Sequence, residues 1–334
     1  MKRTEIEQYI GNQLQIGGCR KYTLTDGRSR GLRGIDVDSG SGLKYTILPD
    51  RGMDISLASY KGINLVYLTC SGESHPAFYE PEKAGWLRTF DAGLLTTCGL
   101  TYLGSPVTDG DEQLGLHGRY SAIPARQVSD FSGWSGDEYQ IKVSGIVEEA
   151  SMFGNKLRLE RQIKTIQGQN SLLITDKVTN FGFSPSPYTI LYHMNMGYPF
   201  LCEDAELIID PSNTQCCNDE AGSGLKEFRK IRAPKAGFQE QVFCHTLKAD
   251  AKDEASVTLQ NKKLGIALTI KFNIKQLKYL MQWKMFGQGE YVLGLEPSNV
   301  QLKNRKELRE ENLLPFLQPG ETVTNNIEVV IKDI

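Results

Sequence analysis

Lys156-Leu157-Arg158-Leu159-Glu160-Arg161-Gln162-Ile163-Lys164-Thr165-Ile166, then Gln167-Gly168-Gln169-Asn170, then Ser171-Leu172-Leu173-Ile174-Thr175-Asp176-Lys177-Val178-Thr179 sets the architecture of this chain. Residues of alternating or β-branched character fill both runs, and side chains with that period point to opposite faces of a strand. Gly168 and Asn170 tolerate positive φ, so the two runs read as an antiparallel hairpin. The pattern recurs in both directions. Similar runs occupy Gly34 to Val37, Lys44 to Leu48, Asp54 to Tyr60, Ile63 to Leu68 and Tyr139 to Val147. They continue through Tyr188 to Asn195, Ala205 to Ile209, Glu240 to Leu247, Ala255 to Gln260, Gly265 to Phe272, Tyr279 to Trp283, Tyr291 to Leu295 and Thr322 to Ile331. Lys61-Gly62 supplies another hairpin turn, and 33 glycines in 334 residues suit a chain of many turns. An all-β protein is expected, an antiparallel sandwich of large sheets.

A short helix is expected over residues 4–10, because Thr4 and Glu7 stand at capping-box spacing and Gly11 can end it. Two segments depart from the strand pattern. Pro211 to Gly237 is polar and rich in Gly, Ser, Asn and Lys, while the mixed-charge stretch Asn304 to Asn312 suits one surface helix. Neither resembles a linker and no solenoid or propeller period is present, so residues 1–334 are expected to form a single domain with its sandwich over about 17–331.

The formal charge of -2, from 38 basic and 40 acidic residues, gives no global field to recruit nucleic acid or an anionic membrane. Cys19, Cys70, Cys98, Cys202, Cys216, Cys217 and Cys244 contain no C-x-x-C pair and no regular spacing, which points to a reducing cytoplasm. Met1-Lys2-Arg3-Thr4 leads into no apolar run, and no segment approaches the ~18 apolar residues of a membrane span. A soluble, unprocessed cytoplasmic protein is the expectation.

Chemistry concentrates in two apolar runs. Ile190-Leu191-Tyr192-His193-Met194-Asn195-Met196 carries a histidine and Tyr291-Val292-Leu293-Gly294-Leu295-Glu296-Pro297 a glutamate. An ionisable group inside such a run needs a partner or a task, and together these two supply an acid and a base. Of the 4 histidines, His75 precedes Pro76 in a loop and reads as a surface residue. His245 suits a hydrogen-bonded sheet position and a binding role equally. His117, in Gly115-Leu116-His117-Gly118-Arg119, lies between glycines that permit close approach of a ligand, so a site role is favoured. No histidine pair at i, i+4 spacing and no cysteine cluster suggests a bound transition metal.

With Gly115-Leu116-His117-Gly118, His193 and Glu296 in that order, the chain resembles the aldose 1-epimerase (galactose mutarotase) superfamily. Leu48-Pro49-Asp50-Arg51-Gly52-Met53-Asp54-Ile55, Gly93-Leu94-Leu95-Thr96-Thr97-Cys98-Gly99-Leu100 and Gly294-Leu295-Glu296-Pro297 are similar to a bacterial branch whose members mostly lack an assigned substrate. The resemblance runs from about Gly17 to Ile331. It implies a β-supersandwich with a sugar cleft on the concave face of one sheet, His193 as general acid and Glu296 as general base. It also implies that His117 and Arg88 contact the sugar. The reaction is anomer exchange by ring opening and reclosure, which needs no metal, nucleotide or other cofactor.

Tyr192 departs from the asparagine of the better-known enzymes, and Phe243-Cys244-His245 offers no aspartate to grip a galactose hydroxyl. Arg51, Arg88, Arg119 and Lys284 would make such a cleft locally positive, leaving room for an acidic or phosphorylated sugar. Trp283 suits stacking on a sugar face. A homodimer is allowed. The alternatives are a sugar-binding protein without catalysis, and an isomerase or lyase that uses Asp54 or His117 as a further base. His117, His193 and Glu296 are expected to converge in one open cleft about as wide as a sugar ring.

Overall fold

Each run predicted to be a strand lies wholly or partly in one, and the alternation along it decides which face it buries. The computed structural model describes residues 2–334. A nine-stranded antiparallel sheet is built around Glu138–Ala150, Lys156–Ile166, Ser171–Asn180 and Thr322–Asp333, then continues through Ile266–Asn273, Glu254–Asn261 and Ala205–Ile208. A five-stranded sheet joins Gly18–Thr23, Arg33–Asp38, Leu43–Leu48, Asp54–Tyr60 and Ile63–Asn64. The third sheet has six strands in the order Pro211–Cys216, Gln241–Leu247, Tyr279–Phe286, Tyr291–Ser298, Thr189–Met196 and Thr96–Leu100. Among the described residues, no helix is long and apolar enough to cross a membrane.

One core cluster joins all three sheets, with Leu159, Ile174 and Val329 from the first, Ile47 and Ile55 from the second, and Tyr192, Met194 and Leu295 from the third. Arg161 occupies an inward position in the register of Leu157, Leu159 and Ile163 and is 1% exposed. Its guanidinium reaches Asp176 at 2.7 Å, Asp54 at 2.8 Å and Thr97 Oγ1 at 2.9 Å, while the Tyr192 hydroxyl donates to Asp176 at 2.8 Å. A fully satisfied ion cluster therefore pins the three sheets together. Tyr192 belongs to this cluster and not to the opposite face, where His193 points.

The Thr189–Met196 and Tyr291–Ser298 strands are buried at every position. Their second face is covered by a separate cluster that includes Trp86, Phe90, Cys98, Leu191, Cys244 and Met281. Burial on both faces explains why these strands read as near-continuous apolar runs.

Several boundaries differ from expectation. The first helix is one turn, Arg3–Ile6, with Glu5 accepting from the Lys2 amide at 2.9 Å. The Ile63 strand ends at Asn64 because Val66 bridges Met196 of another sheet. Pro211–Cys216 is a strand, missed because an exposed edge imposes no apolar alternation. The Asn304-capped helix Arg305–Glu310 is amphipathic, burying Arg305 and Leu308.

Candidate active site

The register of the six-stranded sheet brings the acid and base together. Thr96 faces His193, and Met194 faces Leu295, which sets His193 beside Glu296. Glu296 faces Met281, Met281 faces Cys244, and Cys244 faces Gln215. These residues form one rung on the face opposite the main core. His193 Nε2 lies 3.3 Å from Glu296 Oε1, with the side chains 6% and 3% exposed. Gly294 makes this conformation possible, because a Cβ there would collide with the Glu296 carboxylate.

Aromatic rings enclose His193. Phe90 lies 5.2 Å away, Trp283 5.4 Å, His117 6.0 Å and Trp86 6.5 Å between ring centroids. His117 arrives on a loop with φ +58° and is followed by Gly118 at φ +88°. A Cβ at Gly118 would strike the Gly99 and Tyr102 carbonyl oxygens, so the loop can hold His117 here only with glycine at that position. His117, His193 and Glu296 thus converge as expected from the sequence. The opening does not match: His193 and Glu296 touch, with no ring-wide gap between them, because the register of neighbouring strands sets them side by side.

Four buried polar atoms around this pair lack a hydrogen-bond partner, namely His117 Nδ1, His193 Nδ1, Asn195 Oδ1 and Glu296 Oε1. Buried polar groups are nearly always satisfied, so a cluster of exceptions around one contact singles this pair out. Asn195 holds its neighbours through Nδ2, which donates to the Gly93 and His193 carbonyl oxygens.

The other expected binding residues do not gather here. Arg88 is paired with Glu80 at 2.9 Å and its side chain is 68% exposed. Arg51 is buried and donates to the Ser74 and Thr89 carbonyl oxygens, 3.8 Å from Asp91, bracing the loop that carries Trp86 and Phe90. Lys284 points to the opposite face from Trp283 and donates to the Glu227 carbonyl at 3.0 Å. Period-two alternation makes that outcome unavoidable for adjacent strand residues. Trp283 does reach the site. His245 is a core residue bound to Gln282 at 3.0 Å and Thr214 at 2.9 Å, and His75 Nδ1 accepts from the Ala77 amide.

Burial sets the charge state of the pair. It pulls His193 down to about 3, with His117 adding to the shift, and pulls His117 itself down to about 4. Burial pushes the Glu296 carboxyl well up, assisted by Cys217 and Glu240. Both shifts favour the uncharged forms, a protonated Glu296 carboxyl opposite a neutral His193 imidazole. A lowered pKa keeps a ring neutral until the pH falls to that lower value. In a histidine-labelled NMR titration, the His193, His117 and His245 rings are accordingly expected to stay neutral from pH 8 down to about 5. Titration of His193 near the ordinary imidazole value of about 6.5 would contradict this burial.

Residues 29–331 match the family described as a domain of unknown function (DUF4432). The chain belongs to that family. No curated protein matches it. A solved structure from Klebsiella pneumoniae, provisionally described as an aldose 1-epimerase, is 26% identical with a TM-score of 0.90, covering 99% of this chain and 86% of that one. A galactose mutarotase-like protein from Clostridium acetobutylicum is 13% identical, TM-score 0.67, over 96% of this chain and all of that one. A galactose 1-epimerase from Lactobacillus acidophilus is 12% identical, TM-score 0.62, over 95% and 99%. The fold of this DUF4432 chain is therefore galactose mutarotase-like.

Trp86, Phe90, Asn195 and Glu240 completed the DUF4432 site without being singled out in the sequence. Asn195 was accessible to sequence reasoning, since it lies two residues after His193 and shares its face. Trp86 and Phe90 enter from a loop, which no periodicity reports.

Proposed function

We propose that this protein is an aldose 1-epimerase that interconverts the anomers of a sugar by acid-base ring opening and reclosure. The contact between His193 and Glu296, ringed by unpartnered polar atoms, carries this reading. Both oxygens that exchange protons in mutarotation are bonded to the anomeric carbon, so an adjacent acid and base can serve them from one side. The neutral pair begins with Glu296 as proton donor to the ring oxygen and His193 as acceptor from the anomeric hydroxyl. The C1–O5 bond breaks and an aldehyde forms. Rotation about C1–C2 exposes the other carbonyl face. In reclosure, protonated His193 donates and ionised Glu296 accepts, so that in the opening step the two roles are the reverse of those the family resemblance implies. His117 and Asn195 offer hydrogen bonds to the remaining hydroxyls.

Asp54 supports no lyase variant, because its carboxylate is committed to Arg161 and Thr97 behind the sheet. The test is anomer exchange followed by NMR with a panel of neutral sugars, sugar acids and sugar phosphates. Acceleration over the buffer rate for at least one sugar is expected. Binding without acceleration would instead identify a sugar-binding protein.

A further inference from the structure

On the solvent side of the acid-base pair, Trp283 is half-buried and Glu240 is an exposed charged group with no part in the proton transfers. Trp283 Nε1 donates to Glu240 Oε2 at 2.8 Å, and the indole fixed by that bond stands edge-on to His193 at 5.4 Å and 76°. Trp283 faces Gly294, two residues before Glu296 on the same face, so Trp283 connects the exposed Glu240 carboxylate to the face that carries the acid-base pair. The charges expected to offset it are engaged elsewhere, Arg119 with Glu112 at 3.5 Å. Arg88 pairs with Glu80, Arg51 is spent on backbone carbonyls, and Lys284 is on the far face. Lys303, which faces Cys217 and Cys244, is held by Glu311 at 2.6 Å.

Resting on the epimerase reading, we propose that Glu240 determines specificity. Its carboxylate clamps Trp283 as a wall of the sugar site and sets a fixed negative charge at the mouth, so that uncharged sugars are admitted and anionic ones rejected. The repulsion acts inside the molecule as well, since Glu240 is one of the groups that disfavour ionisation of Glu296. A sugar carboxylate or phosphate entering this rim would meet the same field. This replaces the sequence-based expectation of a positive cleft.

The test compares binding of glucose, glucose 6-phosphate and glucuronate to the full chain and to Glu240→Gln and Glu240→Ala. Wild type should prefer glucose by about tenfold, a like-charge penalty moderated by solvent at the rim. Glu240→Gln removes the charge but keeps an oxygen to accept from Trp283, so the preference should largely vanish. Glu240→Ala should weaken all three ligands, and the indole N–H resonance of Trp283, assigned by its loss in Trp283→Phe, should move further in Glu240→Ala than in Glu240→Gln. An unchanged preference in Glu240→Gln, tighter binding of the anionic sugars by wild type, or an unmoved indole resonance in Glu240→Ala would overturn the inference. If none of the three ligands binds and the wider panel shows no exchange, the epimerase reading fails and this inference fails with it.

Discussion

Replacing Glu296 by Gln, or His193 by Asn, is expected to slow anomer exchange by about 10² or more while sugar affinity changes far less. Glu296→Gln keeps the shape beside Gly294 but can no longer pass a proton. His193→Asn keeps a polar group inside the cage of Phe90, Trp86 and Trp283 but loses the titratable ring. Because one proton is exchanged between two side chains 3.3 Å apart, the double variant should be little worse than the worse single one. Exchange rates at saturating sugar, set against affinities from titration, check both points. Loss of affinity with an undiminished saturated rate would remove both residues from the chemical step.

The largest stability effect is expected far from the chemistry, at Arg161. Arg161→Leu leaves Asp54 and Asp176 buried without their cation, and breaking such a cluster by removing one member typically costs ~3–5 kcal/mol. The partly exposed pair of Arg126 with Glu148 is a suitable control, since Arg126→Ala should lower stability far less. Urea unfolding of the three proteins measures the difference. A loss at Arg161 no larger than at Arg126 would show that the cluster does not hold the sheets together. The consequence reaches the site, because Thr97 and Tyr192, both tied into the cluster, flank Thr96 and His193 on the adjoining strands.

The site was partly legible in the sequence for a physical reason. His193 and Glu296 stand out because a titratable group in an apolar run is costly, and this cost is visible without coordinates. His117 stands out through its flanking glycines. Arg51 and Lys284 misled because a positive charge can be counted in a sequence while its direction cannot. Lys284 follows Trp283 and so must face the other way, and Arg51 is consumed by loop carbonyls. Arg161 carried a signal that charge counting passes over, a cation at an inward position of an alternating strand.

The sequence by itself determined the class of fold, most of the strands and the two ionisable residues that meet at the candidate site. Those properties depend on local period, turn chemistry and residue type, which neighbours along the chain settle. Tertiary structure alone decided which sheet each strand joined and that burial disfavours the charged forms of both Glu296 and His193. It also decided that the charged group hydrogen-bonded to Trp283 beside His193 is the Glu240 carboxylate and not Arg51, Arg88 or Lys284. Each of these depends on desolvation or on contacts between residues distant in the chain, as with Trp86 against His117 and Glu240 against Trp283. Burial and pairing across sheets set those energies, and neither is encoded in the order of residues along a single strand.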